Sequence, residues 1–237
     1  MSERSVRFIG TGRAGGALAS ALAAVGWSVA TPLGRDDDLV HAGDGVGLVV
    51  IATPDAAIAA VAAQVDPRPD TVVLHLAGSL GLDVLAPHPR RAAAHPLMAL
   101  PDAVTGARRL TAGGWFAVAG DPLADELVGE LGGRSFVIDD ERRAVYHAAA
   151  VVASNHLVAL LGQVERLAAA ADVPFEAFLD LVEGTVANVA ELGPAAALTG
   201  PAARGDQATI DRHLAALDPS ERELYEVLVA AARRLLP

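Results

Sequence analysis

The 237-residue sequence predicts an α/β fold, a doubly wound parallel sheet followed by a smaller all-helical domain. Three observations lead there. Short β-branched runs alternate with helix-forming stretches over residues 5–138, the first run breaks into glycines before a helix, and the strand-like runs cease beyond Asp139-Asp140. The expected domains are therefore residues 1–138 and 139–237. The length, generous for one core and short for two full domains, fits a sheet domain with a smaller companion.

The first element is Val6-Arg7-Phe8-Ile9-Gly10-Thr11-Gly12-Arg13-Ala14-Gly15-Gly16. The apolar run reads as a buried strand. Gly10 makes the tight turn, Gly12 lets a pyrophosphate approach the backbone, and Gly15 lets the following helix, residues 14–25, pack close to the sheet. Free helix N–H groups and the aligned peptide dipoles hold an anion without a lysine. That is required here, because all 18 basic residues are arginine. Gly10, Thr11, Gly12, Arg13, Ala14 and Gly15 are the candidate cofactor-binding turn; the alternative is a glycine turn with no ligand.

Gly26 ends the helix, and residues 27–30 read as the second strand. Thr31-Pro32-Leu33-Gly34-Arg35 follows, where a site for NAD usually carries an acidic residue for the ribose 2′-hydroxyl. Arg35 suits a 2′-phosphate instead, which favours NADP. Alternatively Arg35 balances Asp36, Asp37 and Asp38, and those aspartates leave NAD open. Residues 47–52 are an unbroken apolar strand ending in Thr53-Pro54-Asp55, a turn expected to line the cofactor cleft and cap a helix over residues 56–65. Residues 71–76 form the next strand. Ser79 after it is a candidate for the nicotinamide or substrate edge, or a helix cap.

In Ala92-Ala93-Ala94-His95-Pro96-Leu97-Met98 the proline holds His95 extended at a strand end. His95 either lines the cleft or is structural. Residues 115–119 and 135–138, separated by a helix over 122–131, close the sheet. A single long helix is expected from 141 to 171, then helices over 174–192 and 207–217, and a last one opening at Ser220, with Glu223 at capping-box spacing. Within the long helix, Tyr146-His147 and Ser154-Asn155-His156 put polar groups in an apolar segment, where unpartnered burial costs about 1–3 kcal/mol each. At about 100° per residue His147 and Ser154 fall in line and His156 opposite, so the two histidines cannot both face one cleft. Asn155 could accompany either. In Leu198-Thr199-Gly200-Pro201-Ala202-Ala203-Arg204-Gly205-Asp206, Arg204 either binds a substrate carboxylate or pairs with Asp206 at a helix start.

Composition excludes several classes. A net charge of −11 with no basic stripe argues against nucleic acid, and the pairs Arg90-Arg91, Arg142-Arg143 and Arg233-Arg234 read as solvated surface. Without cysteine there are no disulfides, thiolate nucleophiles or zinc–thiolate sites, and no metal is expected. No uninterrupted run of about 18 apolar residues occurs and the N-terminus lacks a signal pattern, so the expectation is a cytoplasmic protein without membrane contact. Aromatic residues are only 4%, so Ala, Val and Leu must build the core. The alanine-rich helical part is expected to pack on a second copy, as a homodimer.

Taken together, the glycine turn, Ala52-Thr53-Pro54-Asp55, His95-Pro96-Leu97, Tyr146-His147 with Ser154-Asn155-His156, and Leu198-Thr199-Gly200-Pro201 with Arg204-Gly205-Asp206 resemble the short-subunit dehydrogenase-like family, a Rossmann domain with a 6-phosphogluconate dehydrogenase-like helical domain. The resemblance spans essentially the whole chain. It implies kinship with β-hydroxyacid dehydrogenases, ketopantoate reductases and pyrroline-carboxylate reductases, and so hydride transfer between NADP and a small carboxylated substrate, with ketopantoate the first to consider and prephenate or a pyrroline carboxylate as alternatives. It implies that Asn155, with Arg204, orients the carboxylate. In β-hydroxyacid dehydrogenases a lysine acid stands three residues before the asparagine; here that position is Val152 and the chain has no lysine. The proton must then come from water or from His95, His147 or His156, candidates because the unperturbed pKa of a histidine side chain lies near neutrality. The missing lysine also motivates a different class, a nucleotide-binding regulator without catalysis.

Overall fold

A computed structural model describes residues 4–236. Seven strands form one sheet in the order β2-β1-β3-β4-β5-β6-β7: β1 (Ser5–Ile9), β2 (Ser28–Val29), β3 (Leu48–Ile51), β4 (Val72–His75), β5 (Arg91–Pro96), β6 (Trp115–Gly120) and β7 (Arg134–Val137). β1 to β5 are parallel, as expected, but β6 runs antiparallel to β5, and β7 parallel to β6. The reversal has a local cause. The chain leaves β5 and re-enters β6 at the same end of the sheet, where Leu97 N–H donates to Trp115 O at 2.8 Å.

Alternate residues explain why both faces are covered. Val6, Phe8, Leu48, Val50, Val72 and Leu74 pack on one face against α1 (Arg13–Ala24), α3 (Ala103–Thr111) and α4 (Leu123–Glu130); Ile9, Val49, Ile51 and Val73 pack on the other with Ile58 and Ala62 of α2 (Ile58–Ala62). The helix expected over 56–65 is instead a 3-10 turn, Asp55–Ala57, running into the five-residue α2.

The expected long helix is present but not uniform. A 3-10 turn leads into α5 (Arg143–Val151), a π turn occupies Val152–His156, and α6 spans Leu157–Ala170. Ser154 Oγ donates to Ala150 O at 2.7 Å, competing with the backbone ladder where the turn widens. The wider turn rotates less per residue, so angles reckoned at 100° past Val152 do not hold. The helical stretch Asp140–Ala170, 31 residues long, contains an 18-residue window with a mean hydropathy of 1.5 and none of its residues buried, so by length and composition it is apolar enough to cross a membrane. Searching for an unbroken apolar run misses it, because Tyr146, His147, Asn155 and His156 interrupt a segment whose average is carried by Ala, Val and Leu.

The chain divides into two compact units, Met1–Ser154 and Asn155–Pro237, rather than at 138/139. The reason lies in Asp140, Arg143, Tyr146 and His147, whose side chains pack within the first unit. The second unit continues with α7 (Glu176–Leu192), α8 (Pro194–Ala197), α9 (Gly200–Arg204), α10 (Gln207–Ala216) and α11 (Pro219–Arg233). Asp206 caps α10 by accepting from Thr209 N–H, and Asp218, not Ser220, caps α11. Gln163 and Arg166 both donate to Glu221 within this unit.

Candidate functional site

The glycine turn has the geometry its spacing implies. Gly10 adopts φ +90°, and a Cβ there would lie 2.9 Å from Ala52 O. A Cβ on Gly15 would meet Gly10 O at 2.6 Å and the Ala52 methyl at 2.7 Å, so this glycine sets how closely α1 approaches the sheet. Gly12 differs, being extended, with nothing within 4 Å of where its Cβ would stand. The N-terminus of α1 has no side-chain cap and no acidic residue in its first turn. An open, uncapped helix start beside a bare glycine fits a diphosphate.

Beyond β2 the backbone returns to β1: Gly10 N–H donates to Leu33 O at 2.9 Å, and Leu33 N–H to Phe8 O at 2.8 Å. Gly34 and Arg35 therefore leave the sheet beside the glycine turn. Of the three aspartates that follow it, Asp37 accepts from Gly34 N–H and Asp38 from Val40 N–H, and none of the three forms an ion pair with Arg35 among the described residues. Arg35 and Arg13 are exposed, with no ion pair or hydrogen bond among the described residues. Thr11 and Pro54 are exposed and Ala14 half-buried on the same rim.

At the end of β3 the Thr53 side chain lies against Gly10, and its Oγ1 is buried without a partner. The turn supplies no side-chain cap to the following helix, contrary to expectation. Asp55 instead accepts from Ser79 Oγ at 3.4 Å, which places Ser79 on the rim after β4 rather than at a helix start.

A histidine–tyrosine cluster occupies the carboxyl ends of β4 and β5. His95 Nδ1 and Tyr146 Oη are 2.6 Å apart, and the His95 ring stands edge-on to both Tyr146 and His147, with centroids 5.6 and 5.9 Å away. Gly78 makes room for them, since a Cβ there would come within 2.8 Å of His147 Cδ2 and 3.0 Å of the His95 ring. Gly81 likewise seats the Asp140 carboxylate. His75 accepts from Ala77 N–H at Nδ1 and donates from Nε2 to Gly81 O, which assigns its tautomer. Burial holds His75 below its ordinary value and pulls His95 to about 4, with His147, Arg143 and His75 pushing His95 the same way and Asp55 opposing. Burial raises Tyr146, which keeps its proton at neutral pH.

His95 and His147 are thus brought together, while Asn155 and His156, on the π turn, and Arg204, at the end of α9, belong to the second unit and are exposed. Three residues of the cluster escape a reading of the sequence. His75 hides inside an apolar strand. Tyr146 appears only as a neighbour of His147. Arg143, read as solvated surface, is 1% exposed. The available signal was the spacing Asp140, Arg143, Tyr146/His147, a polar stripe at helical intervals.

A family described as "Domain of unknown function (DUF2520)" matches residues 117–232. No curated protein matches. A Bacteroides fragilis protein proposed to be an NADP oxidoreductase superposes with a TM-score of 0.81 at 23% identity, covering 98% of each chain. A reductive aminase from Aspergillus terreus, in complex with NADPH4, cyclohexanone and allyl amine, gives 0.73 at 17% identity over 98% of this chain and 94% of the other. Pyrroline carboxylate reductase from Plasmodium falciparum, with NADP bound, gives 0.61 at 12% over 98% of each. The fold of this chain is the Rossmann-type fold of NADP-dependent oxidoreductases.

Proposed function

We propose that this chain is an NADP-dependent reductase of a small oxo-carboxylic acid, with ketopantoate the first substrate to test. The observation that carries the reading is the open, uncapped start of α1 at Gly12, with the Arg13 and Arg35 guanidiniums free beside it. In this proposal the backbone of residues 10–15 holds the diphosphate, Arg35 and Arg13 take the 2′-phosphate, and Thr53, Pro54 and Ser79 line the nicotinamide edge. Once bound, the dinucleotide supplies the hydride.

The chain supplies the proton. The Tyr146 hydroxyl protonates the carbonyl oxygen as negative charge develops there, and the His95 Nδ1–H, donated across 2.6 Å, refills the phenolate while Nε2 takes a proton from water. His95 is neutral at pH 7, so it relays a proton rather than storing a charge. This replaces the lysine the chain lacks. Asn155, His147, His156 and Arg204 stay in the proposal through the family resemblance, Asn155 and Arg204 as carboxylate-orienting groups, and so does the short-subunit label itself.

The likeness to a reductive aminase and to pyrroline carboxylate reductase supports a second reading, reduction of a C=N bond. A prephenate dehydrogenase-like reaction and an NADP-binding regulator are the remaining alternatives. We read the enzyme as a cytoplasmic homodimer, since Val158, Leu181 and Val186 are 69%, 65% and 56% exposed in the single chain and a second copy would cover them. The test is NADPH oxidation with ketopantoate, other 2-oxo acids, prephenate and cyclic imines. Turnover of an oxo acid supports the leading reading, imine-only turnover supports the second, and tight NADPH binding with none of these turned over selects the regulator.

A further inference from the structure

Arg143 is a cation without enough anion. Its side chain is 1% exposed; Nε donates to Asp140 Oδ1 at 2.8 Å, while both terminal nitrogens are buried with no partner among the described residues. Asp140 is 56% exposed and spends its charge largely in water, so it compensates the guanidinium weakly. Burying a guanidinium with most of its donors unmet is costly, and such a group in a folded protein calls for a functional role or for a further partner, a water, an ion or a ligand.

The position is informative. Arg143 precedes Tyr146 by three residues and His147 by four, on the stripe that seats on Gly78 and Gly81, and its charge is felt by both His75 and His95. The buried side-chain polar atoms without partners among the described residues are the two Arg143 nitrogens, Thr53 Oγ1 and Arg68 Nε. Arg68 is already engaged with Asp44 and Asp70 elsewhere. The unmet demand therefore concentrates at the carboxyl ends of β3 and β4, beside the histidine–tyrosine pair.

We propose that Arg143 is a carboxylate-recognition residue, whose two terminal nitrogens take both oxygens of a planar carboxylate on the molecule that reacts at His95 and Tyr146. A guanidinium fork matches a carboxylate in two parallel hydrogen bonds, and away from water such a pair is strong and discriminating. Both nitrogens are closed to solvent, so binding includes local opening around them. The inference rests on the reading of this site as one for a small oxo acid, and it adds the group that selects acids over esters and amides.

Thermal unfolding of the full chain tests it without turnover. Oxamate, a non-reducible 2-oxo-acid analogue, and its neutral ester ethyl oxamate are compared at constant ionic strength, with and without NADPH. Saturating oxamate raises the wild-type midpoint by about 5 °C or more and the ester does not. Arg143→Met abolishes the oxamate shift, and its midpoint without ligand equals or exceeds that of wild type, because an uncompensated buried charge is gone. Arg143→Lys, which keeps the charge but not the fork, retains a shift reduced at least several-fold.

Absence of an oxamate shift in wild type, or an undiminished shift in Arg143→Met, overturns the assignment. So does a large loss of midpoint in both variants without ligand, which would mark a purely structural arginine. NADPH binding, read separately by its fluorescence, reports on the cofactor reading, so failure of one is distinguishable from failure of the other.

Discussion

Gly12 and Gly15 stand three residues apart in one motif, yet the structure assigns them opposite consequences. In Gly15→Ala the new methyl would lie 2.6 Å from Gly10 O and 2.7 Å from the Ala52 Cβ, both rigid, so α1 must move off β1 and β3. Overpacking of that kind costs about 1–3 kcal/mol, and at roughly 2–4 °C per kcal/mol for a protein of this size the melting midpoint falls by about 2–12 °C. In Gly12→Ala the methyl enters space with nothing within 4 Å at an extended backbone position, so stability changes by at most about 1 kcal/mol, the cost of alanine at a helix N-cap. That same space is where a diphosphate would come closest, and the methyl should weaken NADPH binding at least tenfold, about 1.4 kcal/mol. Thermal unfolding and NADPH fluorescence titration on both variants separate the roles. If Gly12→Ala binds NADPH as wild type does, the diphosphate does not sit on this helix start, and if Gly15→Ala melts with wild type, the close approach of α1 is not what holds the turn.

Three further outcomes follow from the site. Tyr146→Phe removes the hydroxyl 2.6 Å from His95 Nδ1 and should lower kcat by about 10²-fold or more with NADPH affinity unchanged; an unaltered kcat would remove Tyr146 from the proton path. Arg35→Ala should weaken NADPH by roughly tenfold while leaving NADH unaffected, and equal losses for both would refute a 2′-phosphate contact. His95, held at about 4 against an ordinary value near 6.5, binds fewer protons folded than unfolded, so its contribution to stability is full above pH 6.5 and is lost as pH falls toward 4. The wild-type midpoint should therefore drop more steeply over that window than that of His95→Gln, and parallel slopes would show that His95 titrates normally.

The parts of this molecule legible in one dimension are those whose reason is local. Near-continuous apolar runs mark β1, β3 and β4 because each buries both faces, and the glycine spacing marks the turn because φ at Gly10 and the approach at Gly15 tolerate no side chain. The helices over Glu176–Leu192 and Gln207–Ala216 were equally visible from their breakers. The antiparallel step at β6 was not, since it depends on which end of the sheet the chain re-enters. Nor was the π turn, which no local pattern marks and which moved the angular reckoning along the long helix.

The candidate site divides in the same way. Sequence alone determined that a glycine turn of nucleotide-binding spacing follows the first strand, that the chain has no lysine or cysteine, and that water or a histidine is left to supply any proton. Tertiary structure decided which polar groups stand together. It joined His95 to Tyr146 across 51 positions of sequence, revealed His75 inside an apolar strand, and turned Arg143 from one of an arginine pair into a buried cation with two unmet nitrogens. The physical reason is that a side chain's protonation and hydrogen bonding are set by burial and by neighbours distant along the chain, quantities that residue identity and spacing do not contain.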